Sequence, residues 1–143
     1  MKSIILAAAI VLSATTSFAE GMTHRVAIHV DENDPQVMNM ALNNVANLTS
    51  YYEAQGDDVI VELVAYGPGL NMFVAETSPV AERIAAMSLA MPNLKFSGCG
   101  NTLSAMEART DHTVELVSEA EIVPSGVVQL ITLQEAGYAY VRP

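Results

Sequence analysis

The sequence predicts one α/β domain, a three-layer sandwich built on a five-stranded parallel sheet. Three observations carry that prediction. Strand-like and helix-like runs alternate five times, the joints between them are short, and the second strand-like run is almost continuously apolar. Parallel neighbours need crossovers and helices supply them, so this alternation calls for a parallel sheet with helices on both faces. A nearly continuous apolar strand fits burial on both sides.

The elements follow in order. Residues 1–19 have the three parts of a secretory signal: Lys2 in a positive leader, an unbroken apolar run from Ile4 to Leu12, and small residues at Ser17 and Ala19 before Glu20. That run is shorter than the about 20 residues a membrane-spanning helix needs. The expectation is an exported protein of the bacterial periplasm, with a single domain over residues 20–143 and no membrane partner. His24–Val30 alternates as a first strand. Asp34-Pro35 then gives an N-cap and a first-turn proline. Val37, Ala41, Val45, Leu48 and Tyr52 share one helical face, and Gly56 stops that helix.

Val59–Ala65 is the second strand and Gly67-Pro68-Gly69 a turn. Ser78-Pro79 opens a helix with Val80, Ile84, Met87 and Met91 on one face, ended by Pro92-Asn93. Leu94–Gly98 is a third strand, after which Asn101 is placed to cap a helix carrying Leu103 and Met106. Residues 109–118 follow neither period. Glu121–Val123 is a fourth strand, Ser125 caps a helix over Val127–Leu133, Gly137 stops it, and Tyr138–Val141 is the fifth.

For five strands in a chain of this size the expected order is 2-1-3-4-5. Ligands in open α/β sheets bind beyond the strands' carboxyl ends, where strand order reverses. That places Asp31-Glu32-Asn33, after strand one, opposite Gly98-Cys99-Gly100-Asn101, after strand three. Ser125-Gly126 lies nearby at the end of strand four. These are the candidate ligand-binding residues, with Cys99 as the candidate catalytic one.

Charge removes two classes of partner. The chain carries 6 basic and 16 acidic residues, a formal charge of −10, and loss of Lys2 with the leader takes it to −11. Nucleic acids and anionic membranes are bound through clustered Lys and Arg, so neither is an expected partner. His24, His29 and His112 lack paired metal-ligand spacing, and His24 and His29 project to opposite faces of their strand. No metal or organic cofactor is expected. There is no Gly-x-Ser-x-Gly elbow, and the glycines of Gly67-Pro68-Gly69 lack a phosphate-binding lysine.

Cys99 is the one cysteine. In an exported chain it has no intrachain disulfide partner, which leaves a buried inert thiol, an intermolecular bridge or a reactive sulfur. Its place before a helix N-terminus favours a thiolate. A small buried hydrophobe at a tight junction remains the competing reading.

Phe96-Ser97-Gly98-Cys99-Gly100-Asn101-Thr102, Val64-Ala65-Tyr66-Gly67-Pro68-Gly69, Pro124-Ser125-Gly126-Val127-Val128 and the closing Gly137–Pro143 resemble the DsrE/DsrF-like family, in its exported single-domain branch. The resemblance covers about residues 24–143. It implies a flavodoxin-like fold, homo-oligomers that are often trimers or hexamers, and sulfur-relay chemistry in which a cysteine after the third strand carries a persulfide. Cys99 matches that position to within a residue or two.

Two functions follow as expectations. The first is a periplasmic sulfur-handling protein with Cys99 as a persulfide carrier, exchanging sulfur with a thiol-containing donor or acceptor protein. The alternative is a non-catalytic small-ligand-binding or oligomeric assembly module in which Cys99 is packing.

Overall fold

The computed structural model describes residues 21–143, so the signal expected over residues 1–19 lies outside the described residues. Five parallel strands make one sheet: β1 (Thr23–Val30), β2 (Asp58–Ala65), β3 (Leu94–Cys99), β4 (Ala120–Val123) and β5 (Ala139–Val141). The helices are α1 (Pro35–Glu53), α2 (Ala81–Ala90), α3 (Gly100–Thr110) and α4 (Gly126–Glu135), with a 3-10 helix over Gly67–Phe73. The expected α/β class and the five parallel strands are both present.

The strand order is β4-β3-β2-β1-β5, where the expectation was 2-1-3-4-5. The chain therefore steps in one direction from β1 to β4 before α4 carries it back to the far side of β1. Crossovers between parallel strands are right-handed, so three steps in one direction put α1, α2 and α3 on the same face. The return crossover leaves α4 on the other. β5 pairs only Val26, Ala27 and Ile28 with Ala139, Tyr140 and Val141, and this short strand sits at the edge beside β1. The order reverses between β1 and β5, not between β1 and β3.

The two faces differ in consequence. Under α1 to α3 lies the main core, where Ile28, Val30, Leu63 and Phe96 meet Met38, Leu42, Phe73 and Ile84. Fully burying side chains of this size is worth about 1.5–3 kcal/mol each. α1 begins as its sequence demands: Asp34 Oδ1 accepts the Gln36 N–H at 2.7 Å, and Pro35 occupies the first helical position. The opposite face holds a smaller cluster of Ala27, Val64, Leu130 and Leu133 under α4 alone. Beside that cluster the same face holds the buried polar side chains of His29, Glu62 and Ser97.

Residues 109–118 resolve into the end of α3, a left-handed residue at Asp111, and an extended segment bridging Leu116 to Val74. The Gly67-Pro68-Gly69 turn continues as the 3-10 helix. Gly69 approaches Val30 so closely that a Cβ there would lie 2.4 Å from the Val30 carbonyl oxygen.

Candidate functional site

β3 delivers Cys99 to the α4 face of the sheet. Alternation along the strand sends Phe96 into the main core, Ser97 toward α4, Gly98 back to the core and Cys99 toward α4 again. Phe96 packs edge-on against Phe73, whereas Ser97 Oγ donates to Glu62 Oε1 at 2.6 Å. A Cβ on Gly98 would sit 3.1 Å from Leu116 and 3.2 Å from Leu70, so this glycine serves packing. Gly100 lies against the Val123 carbonyl, at 3.1 Å from where a Cβ would be. The chain thus turns into α3 two residues earlier than expected: Cys99 itself takes the N-cap position, and Asn101 lies in the first turn.

Two helix N-termini converge on the Cys99 sulfur. Cys99 is only 5% exposed, and this burial opposes ionisation. The Thr102 side chain and the backbone amides of Gly126, Thr102 and Asn101 outweigh it, holding the thiol below its ordinary pKa. The two amides of α3 and the Gly126 amide at the start of α4 add their helix dipoles to the same effect. Thr102 Oγ1 accepts the Gly67 N–H at 2.9 Å, which leaves its own proton free to face the sulfur.

Gly126 makes room for this arrangement. A Cβ there would lie 2.9 Å from the Tyr66 Cβ and 3.2 Å from the Cys99 Cβ, so Tyr66 and Cys99 flank the glycine. Tyr66 stacks on His29 with ring centroids 4.5 Å apart, and His29 Nδ1 is 2.8 Å from the Tyr140 hydroxyl. Cys99, Tyr66, His29 and Tyr140 therefore form a row across β3, β2, β1 and β5, in the order the sheet dictates. Burial depresses the His29 pKa, with Asp31 opposing and Arg142 reinforcing the shift. Its Nε2 is buried without a hydrogen-bond partner among the described residues.

The other expected residues separate into two places. Asp31 and Glu32 lie at the β1–β5 end, where Arg142 bonds Asp31 at 3.0 Å through Nε and Glu32 at 3.1 Å through Nη2. Asn33 and Asn101 share a groove of about 530 Å³ with Gly67, Pro68, Asn71 and one face of α3. Ser125 holds the N-cap position of α4 but makes no side-chain capping bond.

Sequence reading passed over Tyr66, Thr102, Tyr140 and Arg142, and weighed His29 only as a metal ligand. The available signal was Tyr66 directly after a buried strand, with glycines behind it. Glu62 was also missed. Its Oε1 accepts Ser97 Oγ and, at 2.7 Å, Gln129 Nε2, which ties α4 to the sheet beneath Cys99.

Comparison with known proteins adds three findings. A family model described as the DsrE/DsrF-like family matches residues 24–143. A solved structure described as a protein of unknown function, MTH1491 from Methanobacterium thermoautotrophicum, is 32% identical with a TM-score of 0.71, covering 84% of this chain and 99% of its own. No curated protein gives a significant match.

Proposed function

This chain belongs to the DsrE/DsrF-like family, a membership that suggests a function related to sulfur relay, and from that premise we propose that it is a periplasmic sulfur carrier holding sulfane sulfur as a persulfide on Cys99. One observation carries the reading: the Thr102 side chain and three backbone amides lower the pKa of a thiol that burial alone would raise. A thiolate at neutral pH is the form that attacks sulfur.

The step needs no outside oxidant. The Cys99 thiolate attacks the outer sulfur of a donor, a new S–S bond forms at Sγ, and the donor's own bond to that sulfur breaks. With thiosulfate the leaving group is sulfite; with an organic persulfide it is a thiolate, which takes a proton from solvent. The amides that hold the Cys99 thiolate also face the inner sulfur of the product. Release to an acceptor thiol is the same exchange in reverse. No residue in this scheme requires a metal or organic cofactor.

The exposed apolar side chains of Val127, Val128 and Ile131 on α4 support a further part of the reading, a homo-oligomer docked through the one helix that covers the thinly clad face of the sheet. Export through the leader over residues 1–19 completes the proposal. Incubating the purified protein with polysulfide or thiosulfate and measuring intact mass tests the chemistry: a gain of about 32 Da is expected in the native chain and not in Cys99→Ser. No gain in the native chain overturns it.

The second reading, an assembly or ligand-binding module with Cys99 as packing, draws on the 5% exposure of that residue. Thiol labelling separates the two. Reaction faster than free cysteine at neutral pH supports the carrier, and reaction only after unfolding supports the module.

A further inference from the structure

α3 presents Asn101, Thr102, Ala105, Met106 and Arg109 along one side of a groove of about 530 Å³. Their spacings of one, three, one and three residues are those of a single helical face. Asn33, Gly67, Pro68 and Asn71 form the opposite wall. The groove runs about 12 Å along the helix, from the turn that contacts the Cys99 sulfur to the last turn of α3.

Its two ends offer different chemistry. At the first, Thr102 both lines the groove and acts on the Cys99 sulfur, so the reactive atom lies just across the first turn of α3. At the second stands Arg109, a cation in a strongly acidic chain, making no ion pair among the described residues. Ala105 and Met106 make the floor between them apolar. Asn71 donates to Asn33 Oδ1 at 2.9 Å, and this bond turns the Asn33 amide nitrogen outward as a donor. The walls thus supply amide donors and one guanidinium, with no carboxylate in the lining.

We propose that this groove binds the organic partner of sulfur exchange, a low-molecular-weight peptide thiol or its persulfide, with sulfur toward Cys99 and a carboxylate on Arg109. The inference rests on the persulfide reading of Cys99 and adds the class of donor and acceptor. A helix side chain leans toward the N-terminus, so the Arg109 guanidinium reaches back over the Ala105–Met106 floor. The span left between it and the first turn suits a di- or tripeptide. The exchange balances as before: Sγ gains the outer sulfur, the donor S–S bond breaks, and the peptide leaves as a thiolate that is protonated by solvent.

The test compares glutathione persulfide with its diethyl ester, which lacks the carboxylates, on the native chain and on Arg109→Gln. Arg109 is exposed and makes no ion pair among the described residues, so its substitution is not expected to disturb the fold, and the ester serves as the donor that does not use the guanidinium. The rate of Cys99 persulfidation by the acid is expected to fall about fivefold in Arg109→Gln, the upper range for an exposed ion pair. The ester rate is expected to change less than about twofold. Equal rates for acid and ester on both chains, with Cys99 still loaded, overturn the groove and leave the carrier reading standing. A native chain that no donor loads defeats the carrier reading instead. Calorimetric binding of reduced glutathione to Cys99→Ser, with and without Arg109→Gln, then decides the groove by itself: binding weakened by Arg109→Gln upholds it, and absent or unaltered binding overturns it.

Discussion

The Gly67 amide donates to the Thr102 hydroxyl oxygen at 2.9 Å, across the carboxyl edge of the sheet from the 3-10 helix to α3. With that oxygen occupied as an acceptor, the Thr102 proton is directed away from Gly67 and toward the Cys99 sulfur. The Tyr66-Gly67-Pro68-Gly69 segment therefore acts on the thiol through a residue that is not its neighbour in sequence. Thr102→Val keeps the shape and removes the hydroxyl. Its expected effect is a higher Cys99 pKa and iodoacetamide labelling about tenfold slower at pH 7, the cost of one hydrogen bond to a charged group. The pH profile of labelling reads the shift directly, and a midpoint that does not move refutes the role given to Thr102.

In the native chain the same profile has an expected direction. A lowered thiol pKa raises the thiolate fraction at neutral pH, so the labelling midpoint lies below that of free cysteine. The folded-state thiolate also stabilises the fold at pH above the unfolded thiol's pKa. That contribution is lost as pH falls through the lower, folded value. A Cys99→Ser chain should lack this part of the pH dependence in urea denaturation.

Gly126→Ala is expected to destabilise by about 1–3 kcal/mol, as overpacking at a crowded position does. Its new methyl would meet Tyr66 at 2.9 Å and Cys99 at 3.2 Å. Because both neighbours border the reactive sulfur, labelling of Cys99 should change along with the denaturation midpoint. Unchanged stability would show that Tyr66 moves aside freely.

His29 supplies a titration on the acid side. Burial holds its folded pKa below the ordinary value of 6.5. The unfolded chain therefore takes up the proton first, and stability present above about pH 6.5 is lost as pH falls toward the folded value. His29→Phe should keep the stack on Tyr66 and remove that loss, which thermal melts between pH 7 and pH 5 would read (about the range in which histidine titrates). Parallel curves for the two chains would contradict the assignment.

The helix and strand identities were legible because periods of 3.6 and 2 are local properties. Val45 and Leu63 show their burial through the pattern of their own segments. Strand order is not local. The place of β5 depends on a three-residue pairing of Ala139–Val141 with Val26–Ile28, and no motif in either segment announces it. Cys99 was legible as a junction residue, but the amide of Gly126 at its sulfur depends on α4 returning over the sheet. Glu62 was hidden inside an apolar run. Its burial at 6% exposure is made tolerable by Ser97 and Gln129, distant in sequence. The hold of Arg142 on Asp31 and Glu32 was not legible, because the partners lie 111 and 110 residues apart in sequence.

The Glu62 network gives one more expectation. Ser97→Ala removes one of two donors to a buried carboxylate oxygen and should cost about 1.5–3 kcal/mol, the range for a hydrogen bond to a charged group. Chemical denaturation of the two chains measures it, and a cost near zero would mean that Gln129 alone satisfies the group.

A persulfide on Cys99 holds an outer sulfur that cyanide can remove. Cold cyanolysis of the protein after thiosulfate loading and removal of free donor tests for it most directly, because cyanide takes only the outer sulfur and releases it as thiocyanate. Stoichiometric thiocyanate is expected from the native chain, none from Cys99→Ser, and a reduced loading rate in Thr102→Val. Thiocyanate that is absent from the native chain, or equally present from Cys99→Ser, would contradict the carrier reading.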